Sequence, residues 1–411
     1  MIFSRSGKPA TIDVNTKEID AFLSRGVEAV FPSKEAFKKA LSSGKPISIY
    51  FGIDPTGPTL HIGHAIPLMK IGKLQKMGHK VTLLIGDFTA MIGDPTDKMA
   101  ARKALTREEV LANCRLYKEQ ASKFLSFGGK NPAKLVFNST WLSKMTFSDV
   151  VSLASTMTVS QMLERDMFEK RMAEKKPIFV HEFLYPLMQG YDSVSLDTDA
   201  EIGGNDQTFN MLAGRHLLRS LKDKEKFVVA TRLLVDPSGK KMGKTEGNMI
   251  TLLDSASEMF GKVMSWPDGM ILPGFELCTE ASEDDIAKEK AFLDRGGNPR
   301  DSKLRLALAL VSIYHGKEGA EKAKGSFLAA FSKGDMSSEA PEALASKGAL
   351  VSDVLVENKI VSSKAEFKRL VAEKAIKDLK SGKPIEAFDA KVESDLDLKV
   401  GKHRFIKIRV K

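Results

Sequence analysis

Cysteine is nearly missing from this 411-residue chain: Cys114 and Cys278 are the only two. A disulfide framework is therefore excluded, and a reducing, cytoplasmic setting is the default expectation. No Cys/His cluster has the spacing of zinc ligands, so no dedicated metal site is expected. No apolar run approaches the ~20 residues of a membrane span, so no membrane partner is expected either. The opening residues, Met1 to Lys8, lack the apolar region of a signal peptide. Internal repeats and long low-complexity tracts are also missing, which argues against a solenoid or a disordered chain.

What is present is ordinary in bulk and uneven in detail. The chain is 42% hydrophobic and 28% charged, as soluble globular proteins are, and long enough for two or three domains. Its formal charge is +10. Residues 351–411 hold 15 Lys/Arg against 10 Asp/Glu, so this short tail carries half of the surplus. A basic module at one end of a chain points to nucleic acid.

The most informative stretch runs from Tyr50 to His64. An apolar strand (Ile47, Ile49, Phe51) ends in the turn Gly52-Ile53-Asp54-Pro55-Thr56-Gly57-Pro58-Thr59, and His61-Ile62-Gly63-His64 opens an apolar helix. Such a turn presents backbone N–H groups and the positive end of a helix dipole, where a phosphate can sit. Taken alone, the two histidines are as easily explained as caps of the helix. A second element weighs against that bland reading. Residues Gly239 to Asn248 include Lys241 and Lys244, spaced Lys-x-x-Lys between glycines, as a clamp on a polyphosphate would be.

The pattern of elements is α/β. Residues 17–45 read as helical, 47–53 and 81–86 as buried strands, and 64–78 as the helix between them. This βαβ unit predicts a parallel sheet with ligands at the carboxyl ends of its strands. Residues 106–128 read as a helix opened by the capping box Thr106/Glu109. A strand is expected at 134–138, helices over 147–175 and 180–192, and a strand at 226–235. Helical patterns fill 251–335, and 333–341 reads as a linker. In the tail, Ser363/Glu366 is expected to form a capping box. Asp395 to Lys402 is expected to be a turn, and Phe405 to Lys411 a strand with one basic face.

Together these motifs resemble the class I aminoacyl-tRNA synthetases and, within them, the bacterial-type tyrosyl-tRNA synthetases. His61-Ile62-Gly63-His64 matches the HIGH motif. Lys241-Met242-Gly243-Lys244-Thr245 matches the KMSKS motif, with Gly for its first Ser and Thr for its last. The resemblance implies a Rossmann-like parallel-sheet catalytic domain over 1–235 and the KMSKS-type loop and linker over 236–250. An α-helical anticodon-binding domain over 251–335 and a small α+β S-four-like RNA-binding domain over 345–411 would follow.

It also implies residue roles. Tyr50, Thr89, Asp94, Tyr185, Gln189, Asp192 and Gln207 would bind tyrosine, with Tyr50 and Asp192 at its phenol hydroxyl. Gly52, Asp54, His61, Gly63, His64, Gly204, Asp206 and Lys244 would bind ATP. Thr56, His61, His64, Lys241, Lys244, Lys98 and Arg102 would stabilise the charge that develops on the phosphates. Lys364, Lys368 and Arg369 would contact RNA. The activity implied is a tyrosine–tRNA ligase: tyrosine and ATP give tyrosyl-adenylate and pyrophosphate, and the tyrosyl group then passes to tRNA(Tyr). No tightly bound cofactor is expected, magnesium arriving with ATP, and the family's homodimer is the expected assembly.

The spacing of Tyr185, Gln189 and Asp192 puts three polar groups on one face of an otherwise apolar helix, which would be costly to bury unless something binds them. A tryptophanyl enzyme is the nearest rival within the class; Tyr50, Asp192 and the basic tail speak against it. A non-catalytic RNA-binding descendant would have lost motif residues, yet both histidines and both lysines remain. A small nucleotidyltransferase would leave the lysine loop, the helical region and the tail unexplained.

Overall fold

The computed structural model describes residues 12–94, 105–239, 249–332, 341–358, 360–401 and 404–410. Lys98, Arg102, Lys241 and Lys244, and most of the expected linker at 333–341, lie outside the described residues. The chain falls into two compact units, Met1–Gly316 and Lys317–Lys411. The division lies at Gly316 (φ 75°), which interrupts the helical run Pro299–Ser332. Among the described residues no helix is long and apolar enough to cross a membrane.

The first unit is built on a six-stranded sheet. Its strands are β1 (Val27–Phe31), β2 (Ser48–Ile53), β3 (Lys80–Ile85), β4 (Lys134–Phe137), β5 (Ala200–Gly204) and β6 (Phe227–Thr231). They lie in the order β1-β6-β5-β2-β3-β4. Five are parallel, and β1 pairs antiparallel to β6 at the edge. From β2 the chain steps outward through β3 to β4, then returns to place β5 on the other side of β2. The reversal lies between β2 and β5. In open α/β sheets such a switch point is where ligands bind, outside the carboxyl ends of the strands.

Several sequence expectations change here. The stretch 17–45 is not one helical region: helices Thr16–Ser24 and Lys34–Leu41 flank β1. Gly26, at φ +60°, ends the first helix. The β-branched and aromatic Val27-Glu28-Ala29-Val30-Phe31 then extends and pairs with β6, a partner some two hundred residues away in sequence. The helix over 106–128 breaks at Arg115 into Arg107–Cys114 and Tyr117–Ala121, its capping box intact. Residues 147–175 form three short helices, each begun by its own cap or turn. The strand at 226–235 stops at Thr231, and β5 escapes notice in sequence because Ala200-Glu201-Ile202-Gly203-Gly204 has one strand former, Ile202, beside two glycines.

The second unit is α+β. Its four strands, β7 (Glu342–Ala345), β8 (Ile376–Asp378), β9 (Leu396–Val400) and β10 (Arg404–Val410), lie in the order β7-β10-β9-β8. Helices Val351–Glu357 and Lys364–Ala372 pack on an apolar core that includes Leu355, Phe367, Ile376, Leu398, Ile406 and Ile408. The expected turn at 395–402 is mostly β9, antiparallel to β10. The alternation of β10 is as expected, with Ile406 and Ile408 inward. The Ser363/Glu366 box is only half formed. Ser363 caps the Glu366 N–H, but the Glu366 carboxylate turns to Ser362 and to Arg404.

Candidate active site

The turn after β2 is held from outside. Asn113 Nδ2 donates to the Pro55 carbonyl at 2.9 Å and the Tyr117 hydroxyl to the Gly57 carbonyl at 2.6 Å. Gln120 donates to the Pro58 carbonyl at 3.2 Å and accepts from the Leu60 N–H at 2.8 Å. These residues, at i, i+4 and i+7, template the turn. Sequence reasoning missed them because nothing local marks their target. Thr56 and Gly52 are exposed on the surface so formed.

The two histidines do cap the helix Ile62–Lys76, and the capping has a chemical consequence. The Gly63 N–H donates to His61 Nδ1 at 3.1 Å, and the His61 N–H donates to His64 Nδ1 at 3.2 Å. With each Nδ1 acting as acceptor, the proton of each neutral ring sits on Nε2. Both imidazoles, with centroids 3.8 Å apart, are thereby set as Nε2–H donors. The capping reading and the ligand-binding reading are thus compatible. The same turn is bound to the segment that follows the lysine loop. The Ile62 N–H donates to the Ile250 carbonyl at 3.0 Å and the Leu252 N–H to the Leu60 carbonyl at 2.9 Å. On the other side of the loop, Asp236 closes the turn to Gly239.

Deeper in, the expected amino-acid residues are joined through residues that sequence reasoning assigned elsewhere or missed. Asp54, expected on the nucleotide side, accepts from Thr89 Oγ1 at 2.7 Å and from the Tyr185 hydroxyl at 2.8 Å. Gly86 makes this possible: a Cβ there would lie 1.9 Å from Asp54 Oδ1 and 2.4 Å from Thr89 Oγ1. Asn138, fully buried just after β4, donates to Thr89 Oγ1 at 3.0 Å and to Asp192 Oδ2 at 3.3 Å. Trp141 Nε1 donates to Asp192 Oδ1 at 2.8 Å. Asp94 accepts from Gln207 Nε2 at 2.7 Å and Arg165 Nη2 at 3.1 Å. Asn138, Trp141 and Arg165 carry no local motif, and only the fold shows their part.

Helix Val180–Leu196 presents Tyr185, Gln189 and Asp192 to this region on one face. Burial pushes the Asp192 carboxyl well above the usual range, against the two N–H donors that favour its ionised form. Burial likewise pushes the phenols of Tyr50 and Tyr185 far up, so both stay protonated; the carboxylates of Glu201 and Asp54, respectively, add to it. Tyr50 lies within β2 rather than at the turn, and its hydroxyl is 2.9 Å from Ser193 Oγ. Gln189 Nε2 donates to Glu201 Oε1 at 3.2 Å, while Gln189 Oε1 is buried with no hydrogen-bond partner among the described residues. Gly204 and Asp206 lie partly exposed at the carboxyl end of β5, beside Gln207.

In the second unit the expected RNA residues are exposed on helix Lys364–Ala372. Lys364 pairs with Asp353 at 2.6 Å and Arg369 with Glu373 at 3.7 Å. On β10, Arg409 is held by Asp397 at 2.7 Å, so the face expected to be basic is partly neutralised.

The family described as tRNA synthetases class I (W and Y) matches residues 42–332. A tyrosine--tRNA ligase of Carboxydothermus hydrogenoformans is 42% identical over 402 residues, covering 94% of this chain and 96% of its own. Tyrosine--tRNA ligase 2 of Vibrio cholerae is 42% identical over 398 residues, covering 95% and 98%. Among solved structures, a C-terminally truncated mitochondrial tyrosyl-tRNA synthetase of Coccidioides posadasii superposes with a TM-score of 0.61. It is 27% identical and covers 76% of this chain and 94% of its own. Both the parallel sheet with its HIGH turn and the relatives that align over nearly the whole chain lead to one assignment: the chain belongs to the class I tRNA synthetases, in the tyrosine--tRNA ligase family.

Proposed function

We propose that the switch-point site binds L-tyrosine and ATP side by side, and that the chain joins tyrosine to tRNA(Tyr) through tyrosyl-adenylate. One observation carries the tyrosine pocket: the buried Asp192 carboxylate, braced by Trp141 and Asn138, in the same buried region as the Tyr50 hydroxyl. A carboxylate without a cation against it is costly to bury. A phenol hydroxyl that donates to Asp192 and accepts from Tyr50 satisfies both. Phenylalanine would leave both groups unfilled; rejection of phenylalanine by this family is a known example of the rule. The lone Gln189 Oε1 suits the substrate ammonium, which Tyr185, Thr89 and Asp94 would also help to hold.

ATP would lie over the exposed Gly52–Thr56 turn. The Nε2–H groups of His61 and His64 would face its phosphates, and Gly204 and Asp206 its ribose. The tyrosine carboxylate is ionised at neutral pH and needs no general base. The step is then an in-line attack on the α-phosphate, helped by positioning and by donors aimed at developing charge. Lys241 and Lys244 would close on the departing pyrophosphate, and Lys98 and Arg102 would act with them. Magnesium would enter with ATP. Transfer to the terminal ribose of tRNA follows, and residues 251–335 and the tail, including Lys364, Lys368 and Arg369, would hold the tRNA by phosphate and shape.

The working unit is a homodimer in this reading. It is supported by large exposed apolar side chains between residues 147 and 180, among them Phe147, Val151, Val159 and Val180, more than half exposed. A cytoplasmic setting accords with such a substrate set. Amino-acid-dependent exchange of pyrophosphate into ATP tests the assignment. Tyrosine is expected to support exchange, and faster exchange with tryptophan would overturn it. Replacing Lys241 and Lys244 by Ala should cut adenylate formation while sparing tyrosine affinity.

A further inference from the structure

Behind Tyr50 lies a buried charged pair that the reaction does not use. Lys226, just before β6, and Glu201, on β5, form an ion pair with side chains 0% and 3% exposed. Glu201 is the register partner of Tyr50 on the neighbouring strand. The Lys226 ammonium also donates to Ser193 Oγ at 2.8 Å, and Ser193 Oγ lies 2.9 Å from the Tyr50 hydroxyl. The Glu201 carboxylate reaches Gln189 at 3.2 Å through its other oxygen. Gly214, on the helix Thr208–Lys222, leaves the space for this contact. A Cβ there would lie 2.6 Å from both Lys226 Nζ and Ser193 Oγ. A buried ion pair is a weak way to gain stability, since desolvation offsets much of the attraction. Its position suggests another task.

We propose that Lys226 and Glu201 are positioning residues that set the direction of the Tyr50 hydrogen bond, and with it the selectivity for tyrosine over phenylalanine. The inference rests on the tyrosine reading of the site. An ammonium can only donate. Its proton fills one lone pair of Ser193 Oγ. The Ser193 proton then has a near acceptor in Tyr50 at 2.9 Å and a far one in Glu201 Oε2 at 3.4 Å, an oxygen that Lys226 already occupies. Ser193 therefore donates to Tyr50. The Tyr50 proton has the Glu201 carboxylate beside it as an acceptor, and it turns to the substrate oxygen, whose own proton goes to Asp192, when tyrosine is bound. Every donor in the chain from Lys226 through Ser193, Tyr50 and the phenol to Asp192 faces the same way. Glu201 keeps Lys226 charged against the burial that lowers its pKa, and holds Gln189 at the amino end.

The test compares kcat and KM for adenylate formation with tyrosine and with phenylalanine. The variants are Ser193→Ala, Gly214→Ala and the neutral pair Lys226→Met with Glu201→Gln. Each is expected to raise the tyrosine KM about tenfold, the scale of one misdirected hydrogen bond, with kcat within about twofold and the phenylalanine KM little changed. Preference for tyrosine then falls about tenfold. Ser193→Ala combined with the neutral pair should cost no more than either alone, because both break one chain. Equal losses for both amino acids, a changed ATP KM, or additive effects would overturn the proposal. Should the neutral pair not fold, Ser193→Ala and Gly214→Ala keep the test. A wild-type protein without tyrosine-dependent exchange would instead refute the underlying reading of the site.

Discussion

Both described sheets bury apolar side chains, but they differ in the polar groups buried with them. The six-stranded sheet hides Tyr50, Glu201 and Lys226 at its centre, with Asp192, Asn138 and Thr89 beside the carboxyl ends of its strands. The four-stranded sheet hides Ile376, Leu398, Val400, Ile406 and Ile408. Among its described residues only Ser352 and Asp378 are buried polar groups, and Asp378 serves its own turn by accepting from Lys380, Ser381 and their neighbours. Polar groups are costly to bury, so their concentration marks where ligand chemistry is done. In the proposed function the first unit works from inside and the second from its surface.

The sharpest way to break this contrast is Gly86→Ala. The added methyl cannot coexist with Asp54, which must abandon Thr89 and Tyr185. Adenylate formation should fall by about a hundredfold or more, as misplacement of the reacting groups does. Near-normal exchange would show that the Asp54 network is not part of the site.

Next is Asp192→Ala. Loss of a hydrogen bond to a charged group costs about 1.5–3 kcal/mol, or roughly 10- to 150-fold in tyrosine affinity. Asp192 also predicts a pH dependence. Burial raises its pKa, so on acidification it takes up a proton before an ordinary aspartate at about 3.9 would, and tyrosine affinity weakens from that point downward. In Asp192→Asn that acid limb should vanish. An unchanged limb would assign it to another group.

Truncation after residue 340 tests the other side. It removes β7 together with its partner β10, a cleaner cut than one through β7. Pyrophosphate exchange should be unaffected, while aminoacylation weakens severalfold and loses part of its salt dependence. Unchanged aminoacylation would deny the tail a role with tRNA.

The smallest effect concerns the tail alone. The backbone and hydroxyl of Ser362, with Arg404, hold the Glu366 carboxyl down to about 2. A depressed carboxyl stabilises the fold above its unfolded pKa of about 4.5, and that contribution is lost as pH falls toward about 2. Glu366→Ala should cost about 1 kcal/mol, as loss of a helix-start bond does, seen in thermal melts. Exchange kinetics should not move, and if they do, the two units are not separable in function.

Much of the site was legible because its residues sit in short motifs. Tyr50 to His64 declares a strand, a turn and a helix within fifteen positions. The spacing of Tyr185, Gln189 and Asp192 declares a helix face. Asn113, Tyr117, Gln120, Asn138, Trp141 and Gly214 were not legible, since each acts on a partner distant in sequence. The edge strand β1 was missed for the same reason: pairing with β6 overrides the helical look of its surroundings.

By itself the sequence determined the βαβ start, the polar helix face, the two histidines at a helix N-terminus and the basic tail. These follow from local periodicity and from side-chain type. Only the tertiary structure decided the direction of the donors. It set both histidines as Nε2–H donors through backbone amides, bound Asp54 to Tyr185 and Thr89, and placed Lys226 behind Tyr50. Hydrogen-bond polarity depends on which groups meet in the folded chain, and no spacing rule in one dimension contains it.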